Sequence, residues 1–170
     1  MTSQTLPTEA PGVDSAARRG WAARQRWMRT LALADPGALD TAWQGWAPKP
    51  GVQAIRGPEA GLVMVRARID GGGARFNLGE ATVARATVRL HGAPLAAPVV
   101  GTSYLLGTDL EHARLAAIFD GLLCAAGHRE RVLTEVIGPL ERARAERDDF
   151  RDAEARGTTV NFFTVSREHE

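Results

Sequence analysis

The spacing of apolar residues along the chain changes from helical to strand-like and back again. Near the N-terminus, apolar residues recur at helical spacing from about residue 15 to Ala34, and arginines interleave with them. Asp35 and Pro36 then supply an N-cap and a first helical residue for a shorter helix that ends before Pro48. These patterns predict two N-terminal helices, the first with a basic outer side.

In the middle of the chain the period changes to two, which is the spacing of a strand with one buried face. The alternation is clearest at 63–69 and 84–90, and the glycines between them predict a turn that pairs the two strands as a hairpin. Weaker strand patterns lie at 52–56 and 99–106. We therefore expect an antiparallel sheet of about four strands, which is an ordinary size.

An apolar helix follows the strand region. Thr108 and Glu111 have the spacing of a capping box, and Gly127 is suited to end the helix. Because this stretch has the most apolar composition of the predicted helices, we expect it to cover the sheet.

The C-terminal part of the chain is less apolar. A helix is predicted at 130–137, with a break at Gly138 and Pro139. The stretch 141–156 is predicted to be a helix that is polar on all sides, and such helices project into solvent or bridge to another chain. An apolar, strand-like run at 160–165 follows it.

The predicted fold class is α+β: an antiparallel sheet packed by helices, with N-terminal helices and a C-terminal helix plus a short strand. Residues 1–13 have little to bury and are predicted to form a disordered tail. Residues 14–170 are predicted to form a single domain, because 170 residues suit one domain with its own core.

Composition narrows the classes of function. The chain has 21 basic and 20 acidic residues, a balance that does not suggest a nucleic-acid partner. It has no apolar run of the length that spans a membrane and no secretory signal pattern, so we expect a cytoplasmic location. The single cysteine, Cys124, excludes an internal disulfide and a cysteine-rich metal site, and the histidine spacings predict no metal site.

Arginines on the predicted strands are the first candidate for ligand binding. Arg66 and Arg68 share one strand face, and Arg85 and Arg89 share another. Pairing of the two strands would gather these guanidinium groups on the face of the sheet away from the core. Arginine binds phosphate or carboxylate through two parallel hydrogen bonds. The cluster could bind a ligand or a partner subunit's carboxylate, or it could be a solvated face balanced by nearby acids.

No residue is firmly identified as catalytic. His112, in the first turn of the apolar helix, is a weak candidate for a base or a phosphate ligand, and the alternative is a locally hydrogen-bonded residue. Ser103, His112 and Asp109 are the residue types of a catalytic triad, but the nucleophile pattern GxSxG that would support this interpretation is missing. The glycines at 71–73 precede a strand pattern rather than a helix, so they predict a turn and not a phosphate-binding loop.

Several aromatic residues are candidates for docking on a partner, since such side chains are enriched at protein interfaces. Phe162 and Phe163 lie in the terminal apolar run, where they either pack back on the domain or contact a partner. Phe150 is the lone large apolar residue of the polar helix, and Trp27 lies on the basic first helix. We expect these four residues to contribute to docking.

Five short segments carry a family likeness. They are RQRWM at 24–28, GLV at 61–63 with Arg66, GEATVARATVR at 79–89, YLLGTD at 104–109 with His112 and Ala113, and VNFFT at 160–164. In this order the set resembles the PhnG family, the small subunits of the bacterial carbon–phosphorus lyase core complex. The likeness runs from about residue 20 to residue 167. Thr108 departs from it, because the family is expected to have arginine before the aspartate, so a contact of that arginine would be changed or lost here.

The resemblance implies a place in a complex with PhnH, PhnI and PhnJ. With PhnH, PhnI and the ATPase-like PhnL, the chain would support transfer of the ribose 5-triphosphate of ATP to an alkylphosphonate, with release of adenine. It would be a non-autonomous component of alpha-D-ribose 1-methylphosphonate 5-triphosphate synthase. It would hold no cofactor itself, ATP would be a substrate of the complex, and the radical chemistry on an iron–sulfur cluster would belong to PhnJ.

Two roles within that complex stay open at this stage. Arg85, Arg89 or His112 could lie near the triphosphate or the phosphonate. Alternatively, the chain could be a purely structural subunit that shapes PhnI, anchored by Phe162 and Phe163, and contribute no residue to the active site. A stand-alone domain that binds a small molecule is a third interpretation of the residues alone.

Overall fold

The computed structural model describes residues 15–68 and 72–157, and it confirms the α+β fold class. The sheet has three antiparallel strands rather than about four. The tail 1–13 and the run 160–165 lie outside the described residues. In chain order the elements are α1 (Ser15–Ala32), α2 (Pro36–Gly45), β1 (Gly51–Arg68), β2 (Arg75–His91), β3 (Val99–Leu106), α3 (Leu110–Cys124), α4 (Ala126–Val132), a π-helical turn (Leu133–Ile137) and α5 (Gly138–Gly157).

The difference in strand number arises in β1. The expected strands 52–56 and 63–69 form one strand, because the residues between them are accommodated as irregularities of the pairing with β2. The register shifts between Ala54 and Arg56, and again between Arg56 and Glu59. Gly57, with φ of 66°, adopts a backbone conformation that favours glycine. A Gly-Pro pair that resembles a turn in the sequence is therefore a bend within a continuous strand.

The three strands differ in length, and this determines what the sheet covers. β1 and β2 form a hairpin, but the predicted pairing of 63–69 with 84–90 is wrong: 84–90 faces 52–60, and 63–68 faces 75–81. β3 pairs only with Val83–Leu90 of β2. Residues 62–68 and 75–82 extend beyond β3 as a two-stranded ribbon, which we call the β-arm. At about 3.3 Å per residue the β-arm is roughly 25 Å long. None of its residues belongs to the buried core.

Helix α3 covers one face of the sheet, as expected for the most apolar helix. Gly101 of β3 and Gly121 of α3 allow the two backbones to come into direct contact. A Cβ atom on Gly101 would lie 2.8 Å from the Cα of Gly121, closer than real Cβ atoms approach. The β2 side chains buried on this face are Ala84, Ala86, Val88 and Leu90.

The carboxylate of Asp120 joins three elements in the core. Asp120 is fully buried on α3, and its oxygens accept hydrogen bonds from the Arg24 Nε and Nη2 atoms at 3.2 and 2.7 Å. The Trp27 indole N–H donates to it at 2.9 Å, and so does the backbone N–H of Thr102. Asp120 therefore fixes α1 against both α3 and the outer edge of β3, and its charge is balanced by Arg24.

Helix α2 packs on the other side of α3. The Asp35 side chain accepts a hydrogen bond from the backbone N–H of Ala38, which confirms the predicted cap. The rings of Trp43 and Trp46 stand edge-on to Phe119 of α3, with ring centroids 6.2 and 6.1 Å away. Trp43 contacts Phe119 from within α2 and Trp46 does so from the C-cap of that helix, and together they bury α3 on the side away from the sheet.

The predicted ends of the apolar helix are wrong by one to three residues. The N-cap is Asp109 rather than Thr108: its Oδ1 accepts from the backbone N–H of His112 at 2.8 Å. Glu111, which a capping box would use, instead pairs with Arg114 one turn along the helix. The helix ends at Cys124 and not near Gly127, because a new helix begins at Ala126.

The predicted break at Gly138 and Pro139 is also wrong. The Gly138 N–H donates to the carbonyl of Leu133, five residues earlier, and this wider π-helical turn leads directly into α5. Pro139 has no N–H to donate and its ring clashes with the preceding turn of a regular α-helix. The wider turn accommodates the proline, so helical structure continues from Ala126 to Gly157.

The start of α5 is attached to α1, and the rest of α5 is exposed. Arg26 donates to both carboxylate oxygens of Glu141, at 3.0 and 2.8 Å. These hydrogen bonds and the positive charge lower the pKa of Glu141. Leu140 is the buried residue of α5, which is described over its full length. Beyond this attachment the helix is polar on all sides, as its sequence predicts.

We expect Gly101→Ala to lower the free energy of unfolding by about 1–3 kcal/mol, because α3 must move away from β3 to admit the methyl group. Gly79→Ala is the matched control: it also lies in a strand, and nothing stands within 4 Å of a Cβ there. That change should alter stability by less than about 0.5 kcal/mol. Urea unfolding of both variants measures the difference, and equal midpoints would contradict the close contact.

We expect Asp120→Asn to destabilise the chain by about 2–3 kcal/mol, because the amide loses the charge and one of the two acceptor oxygens that four donors use. Asp148→Asn is the control, since Asp148 makes an exposed ion pair with Arg144 at 3.3 Å. Loss of that pair should cost under about 0.5 kcal/mol. Thermal unfolding at neutral pH compares the two, and an unaffected Asp120→Asn variant would contradict the central role of Asp120.

Candidate functional site

The sheet buries one face under α3 and exposes the other. Strand alternation places Arg85 and Arg89 of β2 on the exposed face, where β3 adds Val100, Tyr104 and Leu106. We call these five residues the open sheet face. Tyr104 is 56% exposed and Leu106 is 81% exposed. Large apolar side chains that are exposed side by side mark a surface that binds another molecule.

The β-arm continues this exposed apolar surface. Leu62 and Leu78 are each 64% exposed, and Met64, Val65 and Phe76 are exposed as well. The strand at 63–69 is predicted to bury one face, but no layer of the described structure covers that face. The alternation of apolar residues therefore marks an apolar face that no described residue covers.

An ion network links the base of the β-arm to the open sheet face. Glu59 Oε1 accepts from the Nε atoms of both Arg56 and Arg85, each at 2.8 Å. These two guanidinium groups lower the pKa of Glu59. Arg85 also donates to the Tyr104 hydroxyl at 3.3 Å, and the hydrogen bonds to Tyr104 and Glu59 raise its pKa. Arg85 is thus already engaged by groups of its own chain.

The pairing register keeps the candidate arginines apart. Arg66 and Arg68 lie in the distal half of the β-arm, where Arg68 faces Arg75. Arg85 and Arg89 lie where β2 pairs with β3, and alternation places them on the opposite face of the sheet. The expected single cluster of four guanidinium groups does not form, because the hairpin is longer than predicted. Within the described residues, the side chains of Arg66, Arg68 and Arg89 make no hydrogen bond or ion pair.

The polar groups near the start of α3 serve the fold. His112 is buried, and its Nε2 atom lies 2.8 Å from the carbonyl oxygen of Leu31, where it ties the end of α1 to α3. The Ser103 hydroxyl donates to the carbonyl of Ala113 at 2.7 Å, and Asp109 caps α3. Ser103, His112 and Asp109 are therefore not linked by hydrogen bonds as a catalytic triad would be. His112 is instead a locally hydrogen-bonded residue.

The docking candidates have different surroundings. Trp27 is 6% exposed and donates to Asp120, so it belongs to the core of its own chain, and the expectation that it docks on a partner is wrong. Phe150 is 71% exposed on α5 and remains a docking candidate. Phe162 and Phe163 lie outside the described residues.

Metal and thiol chemistry receive no support from the described residues. In the part of the chain that the structure describes, no three His, Cys, Asp or Glu residues are placed to hold a metal ion. Burial raises the pKa of the Cys124 thiol, and the charge of Asp120 adds to this effect, which disfavours the thiolate. None of the described helices is long and apolar enough to cross a membrane.

A cleft lies on the helical side of the molecule, and no sequence pattern indicates it. A cleft of about 640 Å³ opens between α1 and the segment from α4 to α5. Trp27 and Ile137 contribute apolar walls, and the Arg26–Glu141 pair stands at its rim. Arg129 lies over the Trp27 ring at 5.8 Å and donates to a backbone carbonyl, so it too is held by its own chain.

Comparison with known proteins adds a family to this geometry. The chain matches the family described as phosphonate metabolism protein PhnG over residues 22–168. It is 51% identical over 149 residues to a protein of Rhizobium meliloti (strain 1021) named alpha-D-ribose 1-methylphosphonate 5-triphosphate synthase subunit PhnG. This similarity covers 87% of the chain and 91% of that protein.

Two neighbouring leucines of β3 test whether the open sheet face lies outside the chain's own core. Leu105 is 4% exposed and Leu106 is 81% exposed. We expect Leu105→Ser to lower the free energy of unfolding by about 3 kcal/mol or more. Leu106→Ser should change it by less than about 0.5 kcal/mol. Urea unfolding of the purified variants decides, and a comparable loss in both would mean that the open sheet face is buried in the isolated chain.

Proposed function

Because the chain belongs to the PhnG family of phosphonate metabolism proteins, we propose that it is a subunit of alpha-D-ribose 1-methylphosphonate 5-triphosphate synthase. Its partners in this proposal are PhnI, PhnH and PhnJ, with PhnL as the ATPase-like component. In the reaction, the bond between ribose C1 and adenine N9 of ATP breaks. A phosphonate oxygen bonds to C1, and adenine leaves carrying the proton that the phosphonate gives up.

The exposed apolar surface of the sheet carries this proposal. An isolated domain that left Tyr104, Leu106 and the whole β-arm in water would be prone to association, whereas a subunit buries such a surface against its partners. Phe150 on the projecting helix α5 offers a second contact away from the sheet. Since the apolar surface of the sheet and the Phe150 ring are both exposed, they support a role in assembly.

The side chains favour a structural contribution over a catalytic one. His112, Ser103 and Arg85 each bind a group of their own chain. A residue that binds or activates a substrate must present a free polar group to it. The polar groups of these three residues are already hydrogen-bonded within the chain. The Arg89 side chain, on the open sheet face, makes no hydrogen bond or ion pair with a described residue. Arg89 is therefore the strongest candidate for the alternative, in which this subunit also touches phosphate.

Co-expression tests the assembly role. We expect a tagged chain to recover PhnI, PhnH and PhnJ in stoichiometric amounts, and the double variant Tyr104→Ser, Leu106→Ser to recover at least tenfold less. Leu33→Ser is the control, because Leu33 is an exposed leucine in the connection between the N-terminal helices. Failure of the unaltered chain to recover any partner would overturn the proposed function.

The assembled complex separates the structural role from the substrate-binding role. Adenine release from ATP in the presence of methylphosphonate would be measured for complexes that contain Arg89→Ala. The structural role predicts normal assembly and a rate within about twofold of the unaltered complex. A normal complex with a tenfold lower rate, about 1.4 kcal/mol of transition-state stabilisation, would instead show that Arg89 acts on substrate.

A further inference from the structure

We propose that the β-arm inserts into an apolar groove on a partner subunit, and that the far end of this groove is acidic. The inference rests on the proposed function, because it assumes that the chain assembles with other subunits. It goes beyond it in naming the inserting element and the chemistry of the surface that receives it.

The β-arm lacks the support that a ribbon of its kind requires. A two-stranded hairpin is at best marginally stable in water unless one face packs on another layer. β3 ends opposite Val83, and α3 lies over the same part of the sheet, so neither reaches the β-arm. The large side chains of Leu62, Met64 and Leu78 are nevertheless apolar and exposed. A partner that packs on the β-arm supplies the missing layer.

The distribution of side chains on the two faces indicates insertion rather than contact on one side. The face continuous with the open sheet face carries Val63 and Val65 of β1, with Phe76 on β2 opposite Ala67. The reverse face carries Leu62 and Met64 near the body of the protein. Because both faces present large apolar residues, a groove with two walls buries more of this surface than a flat interface does.

Charge distinguishes the far end of the β-arm from its base. Arg66, Arg68 and Arg75 lie towards the turn of the hairpin, where the sequence also has Asp70, so basic residues outnumber acidic ones at this end. Glu80 is the one acidic residue in the ranges that define the arm. The side chains of Arg68 and Arg75 make no hydrogen bond or ion pair with a described residue, although the two residues face each other across the hairpin. Two opposed arginines repel, and carboxylates of a partner would relieve the repulsion. We therefore assign acidic residues to the far end of the groove.

Shortening the β-arm gives the first test. Residues 62–82 would be replaced by Asn-Gly, a two-residue turn suited to join the facing residues Gly61 and Val83. The described residues of the replaced stretch, 62–68 and 72–82, include no buried core residue, so the shortened chain should unfold within a few degrees of the full chain. We expect it to lose recovery of the partner subunits at least tenfold. Normal recovery by a folded, shortened chain would overturn the proposal.

The lysine content of the chain allows a direct test of the acidic groove. Lys49 is the one lysine in the sequence, so Arg68→Lys or Arg75→Lys places a new amine at the far end of the β-arm. A carbodiimide couples such an amine to a carboxylate in direct contact with it. In the purified complex we expect a cross-link from position 68 or 75 to a partner's Asp or Glu. Arg29→Lys, on the exposed side of α1, is the control and should give none.

The outcomes separate this inference from the proposed function. If the unaltered chain recovers no partner, the proposed function fails. If it recovers its partners but neither lysine variant couples to them, the acidic groove is wrong and assembly stands. Coupling of the new lysine to a second copy of this chain, whose α5 also carries exposed acids, would identify another occupant and overturn the proposal as well.

Discussion

β3 has 8 residues whereas β1 and β2 have 18 and 17, and the rest of the structure follows from this mismatch. Helix α3 lies directly on β3, so it covers the sheet only as far as β3 extends. The half of the hairpin next to β3 is covered by α3 on one face, and the other half is a ribbon that no described element covers on either face. One strand pair therefore provides both the base of a core and an apolar element that needs a partner.

The contacts that hold the core together lie where α1 and α3 pack on β3, and none of them involves the β-arm. Gly101 lets α3 approach the sheet at backbone distance, and Asp120 holds α1 to the edge of β3 through Arg24 and Trp27. Several candidate site residues likewise stabilise the fold, since Arg85, Ser103 and His112 each bind a group of their own chain. His112 is the clearest case, since its ring binds the last turn of α1. The apolar surfaces of the open sheet face and the β-arm remain exposed, and this is why the geometry supports a function in assembly.

Local sequence patterns predict the positions of helices and strands well, but they predict poorly how strands pair and how helices join. The Asp35 cap, the strand 99–106 and the apolar helix over the sheet follow from spacing. The merged β1 and the continuous helix through Pro139 do not, because a bulge and a π-helical turn are set by packing. Arg66 and Arg85 were expected together, but the face and depth of a strand residue depend on register, which the period of two does not fix. The sequence predicts Trp27 as a docking residue, because a buried tryptophan and an exposed one give the same pattern on an amphipathic helix. Only its hydrogen bond to Asp120 identifies it as a core residue.

Amide hydrogen exchange of the chain alone and within the assembled complex tests the account most directly. The account predicts that the amides of residues 62–68 and 75–82 exchange fast in the free chain and become strongly protected on assembly. The amides of α3 should be protected to the same degree in both states, because its packing is internal. Fast exchange along the β-arm within an intact complex would contradict the claim that this ribbon is the element through which the chain joins its partners.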